Sequence, residues 1–150
     1  MYKKILVAVD GSDTSKLALK EAMNLAGDCG SILRIVYVVD IYNMYAEAEY
    51  MNYKEVQKSL EREGEMVLER AKRSLKQSGI SFSQHLIKTS SRKPRVAETI
   101  VADADKWKAD LIVVGTHGRR GFSRFLLGSV AESIARVATK PVLLIRGKGN

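Results

Sequence analysis

Glycine recurs at positions 115, 118, 121 and 128, and the last of these is followed by Ser129 and a stretch with helical spacing. Such a segment has the parts of a phosphate cradle. Glycines let backbone N–H groups approach anionic oxygens with no Cβ in the way, and a helix opening near Ser129 offers unpaired N–H groups and the positive end of its dipole. Ser129 adds a hydroxyl donor, while Arg119, Arg120 or Arg124 can neutralise phosphate charge. A second polar segment, Val9, Asp10, Gly11, Ser12, follows a short apolar run. Asp10 there is either a turn or helix-cap residue or a ligand contact. The glycines also admit a plain reading, in which Gly115 and Gly118 turn the chain and Gly128 precedes a helix cap.

The elements that must position these segments alternate along the chain. Residues 3–9, KKILVAV, form a short β-branched run, and Ser12 or Asp13 can cap a helix with Ala18, Ala22, Leu25 and Ala26 on one face, ended by Gly27 and Gly30. Residues 32–39 are apolar almost throughout, as in a strand covered on both faces. Residues 41–53 have no clean period and are expected as a loop or a frayed helix start. Val56, Leu60, Val67, Ala71 and Leu75 keep helical spacing up to Gly79, a candidate left-handed residue at the helix end. Residues 80–89 mix polar and apolar side chains, which suits a strand at a sheet edge. Pro94 can open a helix with Val96, Ile100, Ala104 and Trp107 facing the core, residues 110–114 give a fourth strand, and Ser129 caps a helix carrying Val130, Ile134, Val137 and Ala138. Residues 141–146 form the last strand. With right-handed crossovers, this βαβαβαβαβ order predicts an α/β fold, an open, doubly wound parallel sheet in one domain over residues 1–150. Ligands of such sheets bind beyond the carboxyl ends of the strands, where strand order reverses, and the loops after strands one and four are placed for that.

Length and charge narrow the function classes. The chain has 150 residues, 45% hydrophobic and 28% charged, which is ordinary for a soluble domain. Apolar runs such as 111–114 and 142–145 fall far below the ~20 residues that span a bilayer, and residues 1–5 show no signal-peptide pattern, so a cytoplasmic protein is expected. Cys29 is the only cysteine, which excludes an intrachain disulfide and a thiolate metal cage. The formal net charge of +8 concentrates at Lys88, Arg92, Lys93 and Arg95, at Arg119, Arg120 and Arg124, and at Lys140, Arg146 and Lys148. These clusters flank the glycine-rich segment. Nucleic acid is disfavoured as the partner because few aromatic residues are interleaved with the arginines as a stacking platform.

The spacing Gly115, two residues, Gly118, nine residues, Gly128, Ser129 resembles the G-x2-G-x9-G-(S/T) ATP-binding motif of the universal stress protein family. The resemblance extends through KKILVAVDGS at 3–12, ADLIVVGTHGRRGFSRFLLGSVAESI at 109–134 and KPVLLIR at 140–146. It implies a Rossmann-like, adenine nucleotide alpha hydrolase-like sheet of five parallel strands in order 3-2-1-4-5. It also implies residue roles. Ala8, Val9 and Asp10, with Ser12 beyond them, would hold the nucleoside, Asp10 as a ribose contact or a link to Mg or Mn through the phosphates, and Val38 would meet the adenine edge by its backbone. Val114, Gly115, Thr116, Gly118, Arg119, Gly128, Ser129 and Val130 would meet ribose and phosphates. The expected ligand is ATP, with ADP or AMP as alternatives. Ser91, Arg92, Lys93 and Pro94 stand where the family commonly has a Gly-Asp-Pro turn.

Three function classes follow: an ATP-binding signalling or stress-response module, a slow ATP hydrolase or other adenine-nucleotide enzyme, and a basic nucleic-acid-binding domain. Neither a GxxxxGK(S/T) loop nor an HxGH signature occurs, so no catalytic residue is assigned. His117 lies beside the phosphate loop without an evident acid-base partner, and His85 is expected to be structural. Residues 141–146 are apolar on both faces, and strand order places them at a sheet edge, which predicts a homodimer paired through this strand. A further protein partner is expected but carries no signature.

Overall fold

The computed structural model describes residues 1–41, 52–89, 95–117 and 127–147. Its elements are β1 (Lys4–Ala8), α1 (Asp13–Cys29), β2 (Ile32–Val39), α2 (Tyr53–Lys76), β3 (Phe82–Lys88), α3 (Val96–Trp107), β4 (Leu111–Gly115), α4 (Ser129–Val137) and β5 (Val142–Ile145). The five strands make one sheet in the order β3-β2-β1-β4-β5, and every neighbouring pair is parallel. Both the doubly wound arrangement and the strand order implied by the resemblance are therefore observed.

Alternation along the strands divides the core in two. Ile5, Val7, Leu33, Ile35 and Val113 face Ala18, Ala22 and Ala26 of α1 and Leu68, Ala71 and Leu75 of α2. Leu6, Ala8, Val36, Ile112 and Val114 face the other way, against Ala97, Ile100 and Ala104 of α3 and Ala131 and Ile134 of α4. With apolar partners on both faces, β1 from Ile5 onward and β4 read as unbroken hydrophobic runs, and β2 as one interrupted by Arg34. The edge strand β3 is half-buried along most of its length, in keeping with its mixed composition.

Element ends depart from expectation at several places. Gly27 does not end α1, which runs on to Cys29; Gly30 alone does so, in the left-handed conformation at φ 64°. A helix interior accepts glycine at a modest cost, so composition alone does not locate the stop. α2 ends at Lys76 and Gly79 follows at φ 73°, the conformation expected of it. The third strand is shorter than residues 80–89. Ser129 is the first residue of α4 and not its cap; Gly128 is the cap, with extended backbone at φ −60° and ψ 150°. Residues 42–51 and Pro94, with the expectations made for them, lie outside the described residues.

Two contacts explain how tightly the helices sit. Gly64, within α2, faces Tyr37 and Leu86, and a Cβ built there would fall 2.7 Å from Leu86 Cδ1 and from Tyr37 Cδ1. Trp107, at the end of α3, packs against the second core, with Lys4 Nζ 5.2 Å and the Arg34 guanidinium carbon 5.8 Å from its ring centroid. Cations over an indole face are held by its quadrupole, which gives Trp107 a structural task at the sheet. Among the described residues no helix is long and apolar enough to cross a membrane.

Candidate phosphate-binding site

The chain leaves β1 toward β2 on one side, while β4 pairs with β1 on the other, so strand order reverses between β1 and β4. Parallel strands bring the loops after Ala8 and after Gly115 to the same end of the sheet, and the crevice between them is where such folds place ligands.

The first loop is a helix start built from polar side chains. Val9 is still tied to the sheet, its N–H donating to Val36 O at 2.9 Å. Gly11 then turns at φ 85°, a conformation that disfavours a side chain. Asp10 Oδ1 accepts the Ser12 N–H at 2.9 Å, and the Asp10 N–H donates to Ser15 Oγ at 3.1 Å. Ser12 caps α1, its Oγ accepting the Ser15 N–H at 3.2 Å. Asp10 and Ser12 thus both shape the loop, and the turn reading of Asp10 is realised in one of its carboxylate oxygens.

The second loop is organised around Thr116, which is buried. Its N–H donates to Ile145 O at 2.9 Å, and its carbonyl accepts the Gly128 N–H at 2.7 Å. The chain therefore leaves Thr116 and returns to it at Gly128, so that the start of α4 is fixed beside the end of β4. Glu132 N–H donates to Gly128 O at 2.9 Å, which closes the first turn of α4. The N–H groups of Ser129 and Val130 precede that bond and belong to the first turn of α4, whose N–H groups have no partner within the helix. Gly115 packs directly on the first turn of α1, where a Cβ would fall 3.0 Å from the Thr14 carbonyl carbon and 3.1 Å from its oxygen. Two helix N-termini, of α1 and α4, consequently meet β4 at successive residues. Both carry a partial positive charge.

His117 continues from Thr116. Its Nδ1 lies 3.0 Å from Thr116 Oγ1, its carbonyl accepts a hydrogen bond from the Thr14 hydroxyl, and its Nε2 is buried with no partner among the described residues. The Thr116 hydroxyl is a hydrogen-bond partner that the sequence did not disclose. His85 is far from this site and bonds Asp103.

The structure thus brings Ala8, Val9, Asp10 and Ser12 to one side of the crevice and Val114, Gly115, Thr116, Gly128, Ser129 and Val130 to the other. Val38 lies one residue before the end of β2, on the α3 face, partly buried against the second core. Gly118 and Arg119 fall outside the described residues. Thr14 is the residue that sequence reading missed. It bridges the two loops across 103 positions of sequence, and a threonine in the first turn of a helix carries no local mark of such a role. Among the described residues no three His, Cys, Asp or Glu side chains gather as a metal cage.

Comparison with known proteins places this geometry in a family. The universal stress protein family profile matches residues 1–146. A universal stress protein of Methanocaldococcus jannaschii, MJ0531, is 36% identical over 146 residues, covering 97% of this chain and 83% of its own. The solved structure of protein MJ0577 superposes with a TM-score of 0.84 at 28% identity, over 100% of this chain and 99% of that one. Two further structures were solved with adenine nucleotides. A universal stress protein in complex with cAMP aligns at a TM-score of 0.69 and 27% identity, over 96% of this chain and 97% of that one. The protein from Archaeoglobus fulgidus in complex with dAMP aligns at 0.67 and 27%, over 96% and 98%. With its parallel sheet, its tethered glycine-rich segment and a family profile matching nearly its whole length, the chain belongs to the universal stress protein family.

Proposed function

We propose that this protein binds ATP in the crevice between the loops after β1 and β4 and acts as a nucleotide-dependent signalling or stress-response module. The observation that carries the reading is the double engagement of Thr116, which ties the N-terminus of α4, with its first-turn N–H groups and the positive end of its dipole, to the end of β4. An anion is the complement of that arrangement. Relatives solved with cAMP and dAMP support an adenine nucleotide as the ligand class. ATP is the member favoured by the glycine spacing, with ADP and AMP as competitors for the same crevice. In this reading Val38 meets the adenine edge, Ala8, Val9 and Asp10 hold the nucleoside side, and Gly115, Gly118, Arg119, Gly128, Ser129 and Val130 face ribose and phosphates.

A Mg or Mn ion fits this crevice as a passenger of the phosphates. Such hard cations need several oxygens, and the loop offers one carboxylate, Asp10, with Oδ1 already accepting from Ser12. The phosphates and water would supply the remaining ligands.

Gly128→Val tests the site. The Gly128 backbone is in an extended region open to any residue, so the substitution adds bulk without demanding a strained φ. Calorimetry with ATP, ADP and AMP should show binding by the wild type and at least about tenfold weaker ATP binding by the variant, a loss of roughly 1.4 kcal/mol. Equal affinity in a folded variant removes the assignment. Mass spectrometry of small molecules released from the purified, denatured protein identifies the nucleotide carried from the cell.

A further inference from the structure

The two loops of the crevice are joined by a line of hydroxyls whose direction can be deduced. Thr14 Oγ1 bonds the His117 carbonyl oxygen, which can only accept, so the Thr14 proton is committed to it. Ser12 Oγ lies 3.3 Å from Thr14 Oγ1, and with the Thr14 proton used, Ser12 must be the donor in that pair. Ser12 in turn has its N–H on Asp10 Oδ1 at 2.9 Å. The hydroxyl line therefore runs from Ser12 through Thr14 to the His117 carbonyl, and Asp10 meets it only as the acceptor of the Ser12 backbone N–H.

Packing holds Thr14 in place for this bond. A Cβ on Gly115 would lie 3.0 Å from Thr14 Cβ, and one on Gly147 would lie 2.9 Å from Thr14 Cγ2. The side chain is thus wedged between the end of β4 and the residues that follow β5, with its methyl on Gly147 and its hydroxyl on His117. The Thr14 bond thus fixes the His117 carbonyl beside the first turn of α1. The His117 ring is held as well, by Thr116 Oγ1 at 3.0 Å.

We propose that Thr14 is a positioning residue of the nucleotide site, holding the His117 carbonyl at the end of β4 against the first turn of α1 and so setting the spacing of the two loops. The proposal rests on the reading of this crevice as a nucleotide site. It assigns Thr14 no contact with nucleotide. It also gives Ser12 a defined state, since a phosphate that takes the Ser12 proton must draw it away from Thr14.

Thr14→Ala and Thr14→Ser differ by the one hydroxyl, and both lack the methyl that rests on Gly147. ATP calorimetry should find Thr14→Ala weaker than wild type by about three- to tenfold, the size of one neutral hydrogen bond, with Thr14→Ser restoring most of the loss. In the free protein, the carbonyl carbon resonance of His117 should move in Thr14→Ala and return toward the wild-type position in Thr14→Ser. A general packing role would instead lower the melting temperature of both variants alike and leave their affinities equal. Equal affinities of the two variants, or a His117 resonance indifferent to the hydroxyl, overturn the proposal while leaving the nucleotide site standing. Wild-type protein that binds none of ATP, ADP and AMP overturns the site reading and this proposal with it.

Discussion

Arg34 grips Asp103 with two bonds, Nε to Oδ2 at 2.7 Å and Nη2 to Oδ1 at 3.0 Å, joining β2 to α3 on the face that Trp107 covers. His85 of the edge strand adds Nδ1 at 2.9 Å from the same Oδ1. Burial of Asp103 works against its charged form, but the bonds from Arg34 and His85 outweigh it and hold the carboxyl below its ordinary value of 3.8. Folding lowers this pKa, so the contribution is fully present above that value and is lost as pH falls through the depressed folded one. Asp103→Asn should cost about 3 kcal/mol at neutral pH, because it leaves Arg34 uncompensated in a largely buried setting. Urea unfolding at neutral pH and near the Asp range, about pH 3, should show the gap from wild type narrowing in acid. A gap that is the same at both would contradict the ion-pair account.

Two helical glycines should respond to alanine with opposite signs. At Gly64 the added Cβ meets Leu86 and the buried ring of Tyr37 at 2.7 Å, an overpacking of about 1–3 kcal/mol that exceeds the ~1 kcal/mol gained in helix propensity. At Gly27 nothing lies within 4 Å of the added Cβ, so only the propensity gain is left. Gly64→Ala should therefore lower the unfolding midpoint in urea and Gly27→Ala should raise it. Shifts of the same sign would mean that the packing of α2 on β2 and β3 does not decide the outcome.

Those two glycines also show where sequence reading reaches its limit. β1 and β2 are legible because burial on both faces writes an apolar run, unbroken in Ile5 to Val9 and interrupted by Arg34 alone in Leu33 to Val39. The glycine spacing from 115 to 128 is legible because the phosphate chemistry is local to one segment. Gly64 is not, since the reason for it lies in Tyr37 and Leu86 on two other strands. Gly27 misled because a glycine near a helix end resembles a stop, and the conformation that makes the stop, φ 64° at Gly30, is not a property of composition. Ser129 reads as a cap by its side chain, whereas the cap is Gly128, its backbone held on Thr116. Thr14 and Arg34 act across the sheet on residues distant in sequence, and nothing in their neighbours announces the partner.

Asp10 serves the turn through Oδ1 and, in the proposed function, the cation or ribose through its charge. Asn keeps an oxygen that can accept the Ser12 N–H and removes the charge, so Asp10→Asn separates the two tasks. Its melting temperature should stay close to that of the wild type, while ATP binding loses its dependence on added Mg or Mn. Asp10→Ala should lower both stability and affinity. If Asp10→Asn binds ATP with the same metal dependence as wild type, Asp10 is a turn residue alone.

β5 lies at the end of the sheet with β4 as its neighbour. All four of its residues are half-buried, Leu143 and Ile145 against one core and Val142 and Leu144 against the other. Both side-chain faces are thus used within the chain, and what the edge offers to another molecule is its backbone. Pro141 O accepts the Ile112 N–H at 3.0 Å, so the planar peptide that follows must point the Val142 N–H away from β4. The free groups of an edge strand invite pairing with a second chain. We expect a homodimer formed by two copies of residues 141–146. Charging Leu143 or Leu144 is a poor test, since either change also strikes a monomer core. Val142→Pro removes the outward N–H, keeps a small apolar side chain and leaves the β4 bond to Pro141 untouched, and proline is tolerated on edge strands. Light scattering at tens of micromolar, on the order of weak-dimer affinities, should give a dimer for the wild type and a folded monomer for Val142→Pro. A wild-type monomer at that concentration removes the dimer, and a variant that stays dimeric moves the interface elsewhere.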